Sequence, residues 1–268
     1  MMERIEKIRR LNGLLLEEMP EYRQEAAQFA EDMESQRRLL RSLMNVRYPG
    51  KRLNPEFLRL QDELLAEERE ERGIVDVMKL LPVEPGSSIC VWQGDITRLK
   101  ADAIVNAANS QMLGCFIPCH ACIDNAIHSA AGLQLRDECM ELMQAQGCEE
   151  PVGRAKITRG YNLSAKFILH TVGPAVSGTV TLKMKECWNP AIVPAWNWPK
   201  PMGSGALRSA VFRRGYSAFQ MNWRRRLPSG RFGSVWKVLI FKKWFLMCFR
   251  IMTKGFMMLS CVKLCERR

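Results

Sequence analysis

The sequence predicts an α/β fold carried behind an N-terminal helical extension, and three observations point to it. Short apolar runs alternate with a long helical pattern between Ser88 and Thr171. Two earlier stretches repeat apolar residues at helical spacing among charges. The composition then breaks at about Cys187.

From Pro20 to about Val46, Phe29, Met33, Leu40 and Met44 recur at near-helical steps, which predicts a helix. Tyr48-Pro49-Gly50 punctuates the chain. Pro55 to about Arg69 predicts a second helix, with the proline suited to its first turn and Leu58, Leu60, Leu64 and Leu65 on its apolar face. Ser88 to Trp92 and Ala103 to Asn106 read as strands. Ile127, Ala131, Leu135, Cys139 and Leu142 place one long helix over Ile123 to about Gln146. Ala155 to Ile157 and Phe167 to Thr171 read as two further strands. In such a sheet ligands gather beyond the strand ends.

The chain has 268 residues, 47% of them apolar, and a formal charge of +12. From Cys187 onward sixteen Lys and Arg face Glu266 alone, a net +15, so residues 1–186 carry −3. Six of the seven tryptophans lie in that same tail. The basic excess is therefore confined to the last third, and no nucleic-acid partner is expected. No apolar run of about 18 residues occurs, so no membrane partner is expected either. Met1 to Lys7 show no basic start with an apolar stretch behind it, and a cytoplasmic location is expected. Ten cysteines then read as thiols or metal ligands.

Five short motifs carry chemistry. Gly94-Asp95-Ile96 closes a strand, where a carboxylate can accept from a purine amine or, more plainly, cap a turn. Asn106-Ala107-Ala108-Asn109-Ser110 sets two amides around small residues, suited to one ligand or to a self-satisfied loop. Cys115-x4-His120-x-Cys122 offers two thiols and an imidazole within eight residues, a donor set for zinc with one position left open, or simply buried thiols. Cys119 is a spare thiol. Ile123-Asp124-Asn125-Ala126-Ile127-His128 opens the long helix, where Asp124 can cap and His128 fits a core position. His170-Thr171-Val172-Gly173-Pro174 ends a buried strand.

In this order and spacing, Q-G-D-I-T, N-A-A-N-S, I-D-N-A-I-H and H-T-V-G-P resemble the macrodomain family over about residues 1–180. The run C-F-I-P-C-H-A-C stands where most members are Gly-rich, and it resembles the microbial zinc-containing branch, which also has a helical extension. The resemblance implies a three-layer α/β/α macrodomain with a mixed central sheet over residues 76–183, behind a helical extension over 1–75. It implies a monomeric hydrolase that frees ADP-ribose from mono-ADP-ribosylated protein by cleaving a glycosidic or ester bond. Asp95, with Ile96 beside it, would hold adenine. Asn106 and Asn109 would face the distal ribose, and Asp124 would orient substrate or water. Cys115, His120 and Cys122 would bind Zn²⁺. An ADP-ribose-binding module without turnover is the alternative.

Residues 184–268 depart from the family, since no second phosphate loop resembling I-S-T-G-x-F-x-F-P follows. Read in the frame that joins the third base of one codon to the first two of the next, Val211 to Arg225 permits I-S-T-G-V-F-R-F-P-N-E-L-A-A. Met221-Asn222 forces Glu there, and Asn222-Trp223 forces Leu. A frameshift near Thr181 to Glu186 is therefore expected. It would leave an irregular tail, a sheet without its closing strands, and impaired or lost activity.

Overall fold

The computed structural model describes residues 2–82, 89–92 and 94–173, together with the backbones of two short strands at 210–213 and 238–241. Four helices come first: α1 (Arg4–Glu18), α2 (Arg23–Ala26), α3 (Met33–Val46) and α4 (Pro55–Arg72). The single helix expected from Pro20 to Val46 is corrected. Pro20–Tyr22 forms a 3-10 turn and α2 lasts one turn. The chain then restarts at Asp32, whose Oδ1 accepts from the Ser35 N–H at 2.9 Å. A side chain that satisfies the first free N–H groups fixes where a helix begins, so this cap overrides the apolar spacing across it. Helix α4 starts as expected, on the Asn54 cap with Pro55 in its first turn. Helix α1 was not anticipated, although Ile8, Leu11 and Leu15 mark its buried face.

These helices share a core of Ile8, Leu11, Leu15, Leu40, Leu43, Phe57, Leu60 and Leu64. Leu133, from the α/β part, packs in the same core, so the extension is bonded to the rest through apolar contact. Lys7, almost fully buried, lies 2.6 Å from Glu67 and 3.4 Å from Glu63, which answers its charge.

The α/β part contains β1 (Val75–Asp76), β2 (Ile89–Trp92), β3 (Leu99–Lys100), β4 (Ala103–Ala108), α5 (Ile123–Ala131), α6 (Leu133–Gln146), β5 (Ala155–Arg159), β6 (Phe167–Val172), β7 (Ala210–Arg213) and β8 (Val238–Phe241). The main sheet has the order β2-β8-β7-β4-β6-β5. It is mixed: β4 runs parallel to β6 and β7, while the other pairings are antiparallel. The expectation of a sheet without closing strands is corrected, because the β7 and β8 backbones lie between β2 and β4. An unpaired central strand would leave its N–H and C=O groups without partners, and these two apolar segments supply them. The other residues of the tail lie outside the described residues.

Strand alternation sorts the two faces of the sheet. Ile104 and Ile168 join Ile123, Ile127, Leu113 and Leu135 under α5 and α6. Ala103, Val105 and Leu169 form a separate cluster on the other face, the third expected layer falling outside the described residues. Among the described residues no helix is long and apolar enough to cross a membrane.

The long helix expected from Ile123 to Gln146 is two helices. Gly132 sits between them at φ 99°, ψ 172°. At that φ an L side chain is strained, and a Cβ would also come within 2.7 Å of the Gln61 and Gln134 amide ends, so glycine is favoured. The Gln61 side chain fills the break and accepts from the Leu133 N–H at 2.9 Å.

Candidate functional site

Strand β4 and helix α5 build the centre of the site. Asn106 and Ile104 are two residues apart, so both point to the α5 face. Asn106 is fully buried. Its Nδ2 donates to Asp124 Oδ1 at 2.7 Å and to His170 Nδ1 at 3.1 Å. His170 is its register partner on β6. An amide NH₂ only donates, so His170 Nδ1 is the acceptor and its proton sits on Nε2, where Thr158 Oγ1 lies at 2.9 Å. The chain Asp124, Asn106, His170, Thr158 thus runs across the end of the sheet. Asn106 Oδ1 has no hydrogen-bond partner among the described residues.

Asp124 lies in the first turn of α5 and is almost fully buried. Burial pushes its carboxyl up to about 6, while the Asn106 bond and the Arg136 charge pull it down. His128 Nε2 is 3.5 Å from Asp124 Oδ1. Burial, then the neighbouring His170 and Arg136, hold the His128 imidazole well below its ordinary value. Burial also lowers His170 to about 3. The plainer expectation for both histidines, core positions, matches their burial.

Between β4 and α5 the chain makes a loop pinned by Asn109. Its Oδ1 accepts from Met112 N–H at 2.9 Å and its Nδ2 donates to Gly114 O at 3.0 Å. Both amide atoms therefore serve the turn. Gly114, at φ 81°, lies against the His128 ring, and a Cβ would come within 2.9 Å of it.

The loop brings Cys115, His120 and Cys122 together, with their ligand atoms all within 4.8 Å of one another. Cys115 Sγ lies 3.5 Å from His120 Nδ1. Tetrahedral zinc bonds of about 2.3 Å to sulfur and about 2.05 Å to nitrogen would separate two such atoms by about 3.6 Å, so the residues present fit the ion. Cys122 is also the N-cap of α5, where its Sγ accepts from Asn125 N–H at 3.3 Å. Burial raises its thiol to about 11. Cys119 turns away from this cluster, with Sγ 3.3 Å from Ser42 Oγ. Asp95 caps a turn: its Oδ1 accepts from the N–H and hydroxyl of Thr97 at 3.0 and 2.8 Å. Its Oδ2 lies 3.6 Å from Arg72 Nη1. Ile96 is fully buried in the core, so a ligand beside it meets its backbone only.

Sequence reasoning missed Arg136. It is buried in α6, its guanidinium 4.5 Å above the Phe116 ring. Nη1 donates to the carbonyls of Met44, Asn45 and Arg47 at 2.7–3.1 Å, closing the C-terminal end of α3. A charge between Leu135 and Cys139 on an apolar helix face was the available signal. A second cluster, His128, Cys139 and His170, is wholly buried and was also missed, since its members lie far apart in sequence.

Residues 105–187 match the macro domain family. The described residues form an α/β fold with a mixed sheet and flanking helices. The chain is 54% identical over 169 residues to a protein-ADP-ribose hydrolase of Treponema medium, covering 62% of this chain and 64% of the relative. It is 51% identical over 148 residues to a protein-ADP-ribose hydrolase of Staphylococcus aureus strain COL, covering 55% and 54%. A Trypanosoma brucei macrodomain solved in complex with ADP-ribose aligns at 29% identity and a TM-score of 0.39, covering 54% of this chain and 64% of that one. The chain thus spans between half and two thirds of the length of these curated relatives.

Proposed function

We propose that this macrodomain is a zinc-dependent hydrolase that removes ADP-ribose from mono-ADP-ribosylated protein. The observation that carries the reading is the meeting, in and just before the first turn of α5, of the Asp124 carboxylate held by Asn106 and the thiol, imidazole and thiol of Cys115, His120 and Cys122. The curated relatives described above bear the name of that activity. Asp124 orients the substrate hydroxyl or the attacking water by accepting its hydrogen bond. Asn106 fixes the carboxylate, and His170 in turn fixes the Asn106 amide. Asp95 Oδ2 is the oxygen left to accept from the adenine amine. Asn109 holds the loop, and its amide meets the ribose only by giving up the turn. Cys115, His120 and Cys122 would hold zinc, which when bound polarises a ribose hydroxyl or lowers the pKa of a water.

The last third of the chain shapes how well this site works. The macro domain match stops at residue 187, beside the expected frame change near Thr181 to Glu186, which supports the frameshift reading. The second phosphate loop would then be missing, and turnover by this chain would fall well below that of a frame-restored one.

The test is release of ADP-ribose from a mono-ADP-ribosylated protein by this chain and by one with a single base phase restored between codons 181 and 186. Turnover that rises on restoration, and is lost with Cys115→Ala or a chelator, supports the reading. Turnover indifferent to chelator and to Cys115→Ala sinks the metal role. A nucleotide sequence with no S-T-G-x-F in any phase sinks the frameshift. Binding of ADP-ribose without turnover in the restored chain would favour a reader module.

A further inference from the structure

We propose that helix α3 of the extension is part of the metal centre, and that Asn45 is the positioning residue holding the Cys115–Cys122 loop in its ligating shape. The inference rests on reading those residues as metal ligands.

Asn45 is almost fully buried, and it bridges two elements of the site. Its Oδ1 accepts from Cys119 N–H at 2.9 Å, and its Nδ2 donates to Ser129 Oγ on α5 at 3.1 Å. Cys119 lies immediately before the ligand His120 and has φ 51°. A non-glycine residue in that region is strained and keeps its conformation only when its surroundings hold it. The bond to Asn45 is such a hold, placed one residue from a ligand.

The same face of α3 adds further ties. Residues 38, 41, 42 and 45 fall at helical i, i+3, i+4 and i+7 spacing, which makes one stripe. Cys119 Sγ packs between Ser42 Oγ at 3.3 Å and Arg38 O at 3.6 Å. The spare thiol is therefore an anchor rather than a ligand. Arg41 Nη2 donates to Asn125 Oδ1 at 2.7 Å and reaches His120 O at 3.5 Å. Asn125 passes the hold on, since its Nδ2 donates to Ile117 O at 3.0 Å and its N–H meets the ligand Cys122 Sγ at 3.3 Å. The loop is thus gripped at residues 117, 119, 120 and 122 before any ion arrives. Ordering ligands in advance removes an entropic cost from binding, and partners of this kind change metal affinity by about 10- to 100-fold.

The experiment titrates the full 268-residue chain with Co²⁺ alone, following thiolate-to-cobalt charge-transfer absorption, and then displaces it with Zn²⁺. Asn45→Ala is expected to bind about 10- to 100-fold more weakly. Asn45→Asp keeps an oxygen for the Cys119 N–H and should stay within a few-fold of wild type. Ser129→Ala cuts the far side of the bridge and the Ser129 Oγ bond to Asn125 Oδ1 at 3.3 Å, but it leaves the Asn45 Oδ1 bond to the loop in place and should lose less affinity than Asn45→Ala. Equal affinity for Asn45→Ala and wild type overturns the proposal. So does equal loss in Asn45→Asp and Asn45→Ala, because the acceptor would then not be what matters. If Asn45→Ala does not fold by circular dichroism, the half-exposed Arg41→Met replaces it, with a several-fold loss expected and unchanged affinity overturning the idea. A wild-type chain without a thiolate–cobalt band overturns the metal reading itself, a result distinct from any failure of Asn45.

Discussion

Asn106 Nδ2 lies 2.7 Å from Asp124 Oδ1, a buried bond that joins the end of β4 to the first turn of α5. Among the described residues Asp124 has one firm donor, and that donor is itself held by His170 at 3.1 Å. On the proposed hydrolase reading, Asn106→Ala should therefore lower turnover of a mono-ADP-ribosylated protein by about 100-fold, with KM little changed, since a misplaced catalytic group costs on that order. Steady-state kinetics on the frame-restored chain check it. Unchanged kcat would remove Asn106 from the machinery.

Metal content gives a second prediction. The purified chain is expected to hold about one zinc per molecule, read by elemental analysis, because three good ligands lie within one loop. Cys115→Ser, or dialysis against a chelator, should strip it while the far-UV circular dichroism stays the same. The large cores of the chain do not include these residues. A zinc-free wild-type preparation that cannot be reloaded would contradict this.

Gly114→Ala is expected to destabilise the fold by about 1–3 kcal/mol. The residue sits at φ 81°, where an L side chain is strained, and the new methyl would lie 2.9 Å from the almost fully buried His128 ring. Urea unfolding measures the loss. Wild-type stability in the variant would show that the loop is not fixed against His128.

Acid should also destabilise the protein, and the direction follows from three buried groups. Burial lowers His170 to about 3 and His128 well below its ordinary value, and raises Asp124 to about 6. Unfolded imidazoles take up protons near pH 6.5 and an unfolded Asp near 3.9. The depressed histidines contribute stability above about pH 6.5 that is lost as pH falls toward their folded values; Asp124, raised on folding, works the other way. Below about pH 6.5 the two depressed histidines outweigh the single raised Asp124, so stability falls with falling pH. The urea midpoint at pH 5 should lie below that at pH 7. An equal or higher midpoint at pH 5 would mean that these histidines are not buried neutral.

Much of this was legible in the residues because it is local. The strand ending at Asn106 and the α4 start at Pro55 each depend on a few neighbouring side chains, and the structure has both. So does the Cys115, His120, Cys122 cluster, whose ligands one eight-residue loop can bring together. Other features were illegible because a distant partner decides them. The break at Gly132 exists because Gln61, far earlier in the chain, occupies the space. Arg136 looks like a surface charge until it is seen closing the end of α3. Asn109 could have met a ligand or itself, and its two turn bonds favour the loop.

By itself the sequence determined the fold class, the order of the motifs, the Cys115, His120, Cys122 spacing and the point where composition breaks. All of these are written in residue type and short-range spacing. Only the tertiary structure decided which groups answer which. It buried Asn106 between Asp124 and His170, turned Cys119 away from Cys115, His120 and Cys122, and laid α3 along the loop through Asn45. The reason is physical: a buried polar group must find a hydrogen-bond partner, and packing rather than chain order chooses which one is within reach.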